Sequence, residues 1–303
     1  MRELLLLFVN NLLPIFLAAG AGFLVAKYLG VPAKPVSRIA FFIFSPCLIF
    51  TLLTSGRLNG DDITLMVAYA AVSIILVGLV TGLIAYILRF KRTIIVALLI
   101  TVMFGNVGNF GLSLNLFAFG EDALAFASIY FVTSATLVYT LGVVLASWGK
   151  TDLKTALVGV LKVPVIYAVL LALLFNWQKW ELPLPIDRTV SLFSDAAIPV
   201  MIVLLGIQLY NAKVSKEIFT VGLSNVLRLV VSPALAIGLA AVFHLEGSAY
   251  QAGVLEAAVP TAVLATVLAT EYNLEPSLIT TAVVSSTLLS PLTVTPLLKI
   301  LGA

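Results

Sequence analysis

Gly105-Asn106-Val107-Gly108-Asn109-Phe110-Gly111 lies in the middle of an apolar run from about 94 to 117. Glu256-Ala257-Ala258-Val259-Pro260-Thr261 lies in the middle of another, from about 248 to 271. Three glycines and two asparagines, or a proline followed by threonine, make poor helix interior. Hydrocarbon offers unpaired backbone groups nothing, so irregular backbone at membrane depth survives only inside protein or beside a watery cavity. Two such breaks, about 153 residues apart in a 303-residue chain, are the pattern of a secondary transporter built from a duplicated unit.

Composition supports the membrane reading. Hydrophobic residues make up 61% of the chain and charged residues 10%, with a mean hydropathy of +1.16. A soluble chain of this length needs more polar surface than that. The formal charge of +3 therefore reads as membrane topology, not as affinity for nucleic acid. Cys47 is the single cysteine and sits in an apolar run, so it forms no internal disulfide and reads as a small buried hydrophobe. The first apolar run imitates a signal peptide, but it continues to about Tyr28 and is interrupted at Asn10-Asn11 and Pro14; it reads as the first membrane helix.

Runs long enough to cross about 30 Å of hydrocarbon fall near 4–28, 36–55, 63–89, 94–117, 123–147, 157–176, 189–210, 218–243, 248–271 and 276–299. The expected fold is an all-α polytopic membrane protein of ten transmembrane helices. Landmarks recur at a near-constant offset: Pro14 with Pro164, Pro46 with Pro199, Phe90 with Phe243, Thr133-Ser134 with Ser285-Ser286, and the first break with the second. This divides the chain into a five-helix repeat over 1–150 and a second over 151–303. Five is odd, so the second repeat is inverted relative to the first.

Eleven Lys and Arg (27, 34, 38, 89, 91, 92, 150, 154, 162, 213 and 216) fall on one side of the membrane, and five (2, 57, 179, 188 and 299) on the other. The richer side is expected to be cytoplasmic, which puts both termini outside the cell (inner) membrane. Trp177 and Trp180 then mark an outer interface and Trp148 an inner one.

Spans four and nine are antiparallel and break near their midpoints, so the two breaks should meet near the bilayer midplane. Each second half-helix begins there with free N–H groups and a positive dipole end, ready for an anion. Asn106 or Asn109 can cap the first such half-helix, Pro260 suits the first turn of the second, and Thr261 adds a hydroxyl. Asn106, Gly108, Asn109, Pro260 and Thr261 are the expected substrate-binding residues. The preceding half-helices end in carbonyls that could hold a cation or a protonated group. Arg228 and Glu256 lie at similar depth, and buried ions of opposite sign at one level pair or face a watery pathway; the pair reads either as structural or as a coupling device. Thr133, Ser134, Ser285 and Ser286 either line the site or bond back within their helices. With one histidine, one cysteine and no clustered carboxylates, an intramembrane enzyme is disfavoured, and no cofactor is expected.

These segments resemble the prokaryotic members of the auxin efflux carrier family. The stretch from Gly105 to Gly111 looks like the family's first crossover, and Val254 to Val263 like its second. Asn225 to Pro233 and the Ile198-Pro199 span with Leu205-Gly206 are similar as well. The resemblance covers essentially the whole chain and extends more distantly to bile-acid sodium symporters. It implies broken helices four and nine that cross, and a transport domain moving against a scaffold of spans one, two, six and seven. It also implies carboxylate or auxin-like substrates. Scaffold spans often supply a dimer contact, so a homodimer is expected. The alternative within this fold is a sodium-coupled symporter. Span four here carries no proline, so its three glycines must supply the break.

Overall fold

The computed structural model describes residues 2–56, 58–147, 163–210, 215–272 and 274–303. Trp148, Arg57, Lys150, Lys154, Lys162, Lys213 and the junction between the two expected repeats lie outside the described residues. Among the described residues the chain is helical, with one isolated backbone bridge and no longer strand. Seven helices are long and apolar enough to cross a membrane: α1 (Arg2–Leu29), α2 (Ala33–Thr54), α3 (Gly60–Ile87), α5 (Val107–Ala146), α7 (Leu184–Tyr210), α8 (Ile218–Val242) and α11 (Pro276–Ile300). Two shorter apolar helices are α4 (Arg92–Met103) and α6 (Pro164–Gln178). The remaining two, α9 (Gly247–Ala258) and α10 (Leu264–Tyr272), flank the second break.

Local chemistry explains where these helices start and bend. Asn59 and Asp62 form a reciprocal capping box at the start of α3, Asp62 N–H donating to Asn59 Oδ1 at 2.9 Å and Asn59 N–H to Asp62 Oδ2 at 3.1 Å. Helix α5 has 40 residues, roughly twice what about 30 Å of hydrocarbon requires. It bends at Gly120, whose φ of 79° suits glycine.

Three wide π turns, Phe8–Leu12, Ala40–Phe44 and Leu227–Val231, each sit just before a proline: Pro14, Pro46 and Pro233. A proline has no N–H to give the carbonyl four residues back, and its ring crowds that carbonyl. The carbonyls concerned belong to Asn10, Phe42 and Leu229, each inside its π turn. Widening the turn relieves the crowding. Ser45 Oγ uses one of the carbonyls in such a turn, donating to Ala40 at 2.8 Å.

The helices pack as two groups. In one, α7 lies along α1 and α2, and α6 lies against α2. Glycines let α1 and α7 touch: a Cβ on Gly22 would strike the Val203 carbonyl, and one on Gly206 the Ala19 carbonyl. Small residues allow such close approach between membrane helices, where packing rather than water drives association. In the other group, α3, α4, α5, α8, α9, α10 and α11 surround the two breaks. Tyr69 of α3 lies across Gly253 of α9 and donates to the Ala236 carbonyl of α8 at 3.0 Å. Contact between the groups runs through the start of α5 against α7 and through the first turns of α1 against α11, where Lys299 pairs with Glu3. Leu79, Leu83, Leu192 and Leu292 point outward and are exposed, as suits a surface bathed in lipid.

Candidate functional site

The two breaks meet. Gly105 and Thr261 form an antiparallel backbone bridge. Beside it, Asn106 N–H donates to the Pro260 carbonyl at 2.7 Å and Ala262 N–H to the Phe104 carbonyl at 2.9 Å. Chain that is helical in neither half is thus paired with chain that is helical in neither half, so each break answers part of the other's hydrogen-bond demand.

The carbonyls at the ends of α4 and α9 are met mostly by side chains. Thr261 Oγ1 donates to the Thr101 carbonyl at 2.9 Å, and Ser232 Oγ to the Ala257 carbonyl at 2.7 Å. Arg228 takes three more: Nε donates to Val259 at 2.7 Å, Nη1 to Val102 at 3.0 Å and Nη2 to Glu256 at 3.3 Å. The expected side-chain pairing of Arg228 with Glu256 is corrected here. The guanidinium meets Glu256 through its main-chain carbonyl, because the breaks expose carbonyls that claim the fork first. The Glu256 carboxylate turns elsewhere, and its Oε1 accepts from Asn115 Nδ2 at 2.9 Å.

Asn115 was not legible as a functional residue. Its amide nitrogen also donates to the Gly111 carbonyl at 3.0 Å, which fixes the side chain between the first break and Glu256. The signal available was an amide side chain between Leu114 and Leu116 in an otherwise apolar stretch; the structure buries it fully. Asn115 Oδ1 and Glu256 Oε2 are buried without a hydrogen-bond partner.

The glycines of the first break have a purpose the sequence did not reveal. Only Phe104, Gly105 and Asn106 leave the helix; Gly108 and Gly111 lie within the π turn Val107–Leu112 that opens α5. None of the three has a positive φ. They supply clearance instead. A Cβ on Gly105 would strike Arg228 Nη2, one on Gly111 would strike Glu256 Oε2, and one on Gly108 would come within 3.0 Å of the Phe131 ring.

Asn106 occupies the position before α5, yet its side chain makes no capping bond. The capping role expected of it is therefore corrected: its main-chain carbonyl accepts from Phe110 at 3.1 Å and Gly111 at 3.0 Å, while its buried Nδ2 has no partner. Asn109 donates to Gln208 Oε1 of α7 at 3.4 Å, so it faces the boundary between the two helix groups. Phe110 reaches the same boundary, edge-on to Phe16 of α1. Pro260 stands four residues before α10, so it belongs to the break and not to the first turn of the next helix; its carbonyl is needed by Asn106.

Thr261 is fully buried and its hydroxyl proton is committed to Thr101. Ser286 Oγ accepts from Thr261 N–H at 3.1 Å, touching the second break directly. Ser285 instead bridges to Asn225 of α8, accepting from its Nδ2 at 2.9 Å. Thr133 bonds back to the Ile129 carbonyl at 2.9 Å, and Ser134 is buried close by.

Against this geometry stand the known relatives. A family of proteins described as "Membrane transport protein" matches residues 7–156 and 151–298, nearly the whole chain. The chain belongs to that family, the auxin efflux carriers. It is 30% identical over 277 residues to an uncharacterized transporter of Methanothermobacter thermautotrophicus, covering 88% of this chain and 89% of that one. It is 31% identical over 160 residues to auxin efflux carrier component 8 of Arabidopsis thaliana, covering 50% of this chain and 40% of that one. It is 27% identical over 213 residues to a putative malonate transporter of Rhizobium meliloti, covering 65% and 64%. As a member of this family the protein is a multi-pass membrane transporter.

Proposed function

We propose that this auxin efflux carrier family member is a secondary transporter of small organic anions, with the substrate bound where the two breaks meet. The observation that carries the proposal is the Asn106 amide, a buried donor without a partner at the mouth of α5. The N–H groups of the first turn of α5 point the same way along the helix axis, and a helix N-terminus carries roughly half a positive charge. Unpaired donors at that end suit a carboxylate. Asn109 and Gln208, at the boundary between the helix groups, supply further donors where a moving group and a fixed group would part.

On this reading α4 with the first part of α5, and α9 with α10, each make one interrupted crossing, and α5 turns at Gly120 into a further crossing. Ten crossings result, in two inverted repeats over 1–150 and 151–303. The α1, α2, α6 and α7 group is the scaffold and supplies a homodimer contact; the group around the breaks moves against it. The eleven-to-five distribution of basic residues supports an orientation with both termini on the outer face of the cell membrane. Names among the relatives, auxin and malonate, support a carboxylate as cargo.

The test is a thermal-stability screen of the purified protein against malonate, other small carboxylates and indole-3-acetate, in wild type and Asn109→Leu. Stabilisation by at least one carboxylate, lost in the variant with its ligand-free Tm retained, is the expected result. An equal response in both removes the first break from the site.

A further inference from the structure

Two helix ends that carry negative dipole converge here, α4 at Val102 and α9 from Glu256 to Val259. Each helix C-terminus bears roughly half a negative charge on its unfinished carbonyls. In a low-dielectric interior, carbonyl ends that face each other repel unless a positive group sits among them, and interrupted membrane helices commonly place a free cation at such ends. In this protein the position is filled by Arg228. The residue is 2% exposed, and its guanidinium spans both ends, with Val102 on one side and Glu256 and Val259 on the other.

The surroundings are shaped to it. The π turn Leu227–Val231, set by Pro233, carries Arg228, and the next residue, Ser232, fastens the same stretch of α8 to the Ala257 carbonyl. Gly105 leaves the space that Nη2 occupies. A guanidinium offers five donors in a rigid plane and can join three carbonyls from two helices; an ammonium is a point charge without that reach.

We propose that Arg228 is a tethered cation, which permanently takes the place among the two carbonyl ends where a free monovalent cation would otherwise be needed. The paired breaks then stay assembled without sodium. Arg228 is a positioning residue in this account, holding the breaks that bind, and only its consequence for anion binding rests on the function proposed above.

The experiment therefore adds no carboxylate. The Tm of purified protein in detergent is measured in equimolar sodium, potassium or N-methylglucamine chloride, for wild type, Arg228→Lys, Arg228→Met and Arg228→Gly. Wild type is expected to have the same Tm in all three salts. Arg228→Lys should retain more stability than Arg228→Met, because the positive charge is what the carbonyls require. Arg228→Gly should regain at least half of its lost Tm, saturably, in millimolar guanidinium chloride far below denaturing levels. A saturable, sodium-specific rise in the Tm of wild type overturns the proposal. So does an Arg228→Met variant as stable as Arg228→Lys, which would mean that bulk alone is needed. If Arg228→Gly does not fold, these two comparisons still decide. Failure of the carboxylate screen would leave all of them standing.

Discussion

Gly111→Ala sets two effects of known size against each other. Gly111 lies in helical backbone with no positive φ, so alanine should gain up to about 1 kcal/mol from helix propensity. Against that gain, the new Cβ would strike Glu256 Oε2 and stand 2.6 Å from the carboxyl carbon. Glu256 is fully buried and held by Asn115, so it cannot simply swing aside. Overpacking a filled interior costs about 1–3 kcal/mol, and losing the hydrogen bond from Asn115 costs about 0.5–1.5 kcal/mol more. The clash wins, and a net loss of roughly 1–3 kcal/mol follows.

Gly82→Ala is the matched control. Its Cβ would find only Leu99 Cδ2, at an ordinary 3.8 Å, so propensity should dominate and stability should rise slightly. Thermal unfolding in detergent, read by the loss of the monodisperse peak, compares the two. A double variant, Gly111→Ala with Glu256→Ala, removes the obstacle and should recover at least about 1 kcal/mol relative to the sum of the single effects, since touching residues couple. If Gly111→Ala proves as stable as Gly82→Ala, the clearance argument is wrong and the glycines of the first break serve only to interrupt the helix.

Replacing Asn115 by leucine should destabilise by about 1–3 kcal/mol, because the Glu256 carboxylate loses its one donor in a buried site; thermal unfolding of the variant checks this, and a neutral outcome would show that Glu256 is met another way. Gly206→Val should separate α1 from α7 and lower stability by more than about 1 kcal/mol, read by thermal unfolding in detergent; an unchanged melting temperature would show that the helices can part at this point without cost. Glu256→Gln should fold, since the amide keeps the shape and can still accept from Asn115; proteoliposome exchange that persists while uphill accumulation disappears would assign Glu256 to coupling, whereas loss of both would assign it to the architecture.

The breaks themselves were legible because glycine, asparagine and proline carry strong local meaning in an apolar run. Pro14 marks an interruption in the first apolar run that the structure realises as a π turn, and Pro46 and Pro233, which carry no such reading in the sequence, stand behind the same kind of turn. What a one-dimensional reading could not supply was direction around the helix. Depth placed Arg228 and Glu256 at one level, but depth does not say which way a side chain turns, and the exposed carbonyls were the nearer partners. The same gap hid Asn115 and Gln208, whose roles exist only because α5 lies against α9 on one side and α7 on the other. Three glycines within seven residues suggest a broken helix, yet Gly108 and Gly111 remain helical and make room. Clearance depends on the neighbour, and the neighbour lies about 120 residues away or more in two of the three cases.

Counterflow of radiolabelled malonate in proteoliposomes tests the central claim most directly, comparing wild type with Asn106→Leu. A carrier with its site at the breaks should accumulate label transiently against unlabelled malonate inside, or against whichever carboxylate the stability screen selects. Asn106→Leu should reconstitute normally and show no accumulation, because the unpaired buried donor is gone. Equal counterflow in the two proteins would contradict the placement of the anion at the breaks, and flux without counterflow would contradict the carrier itself.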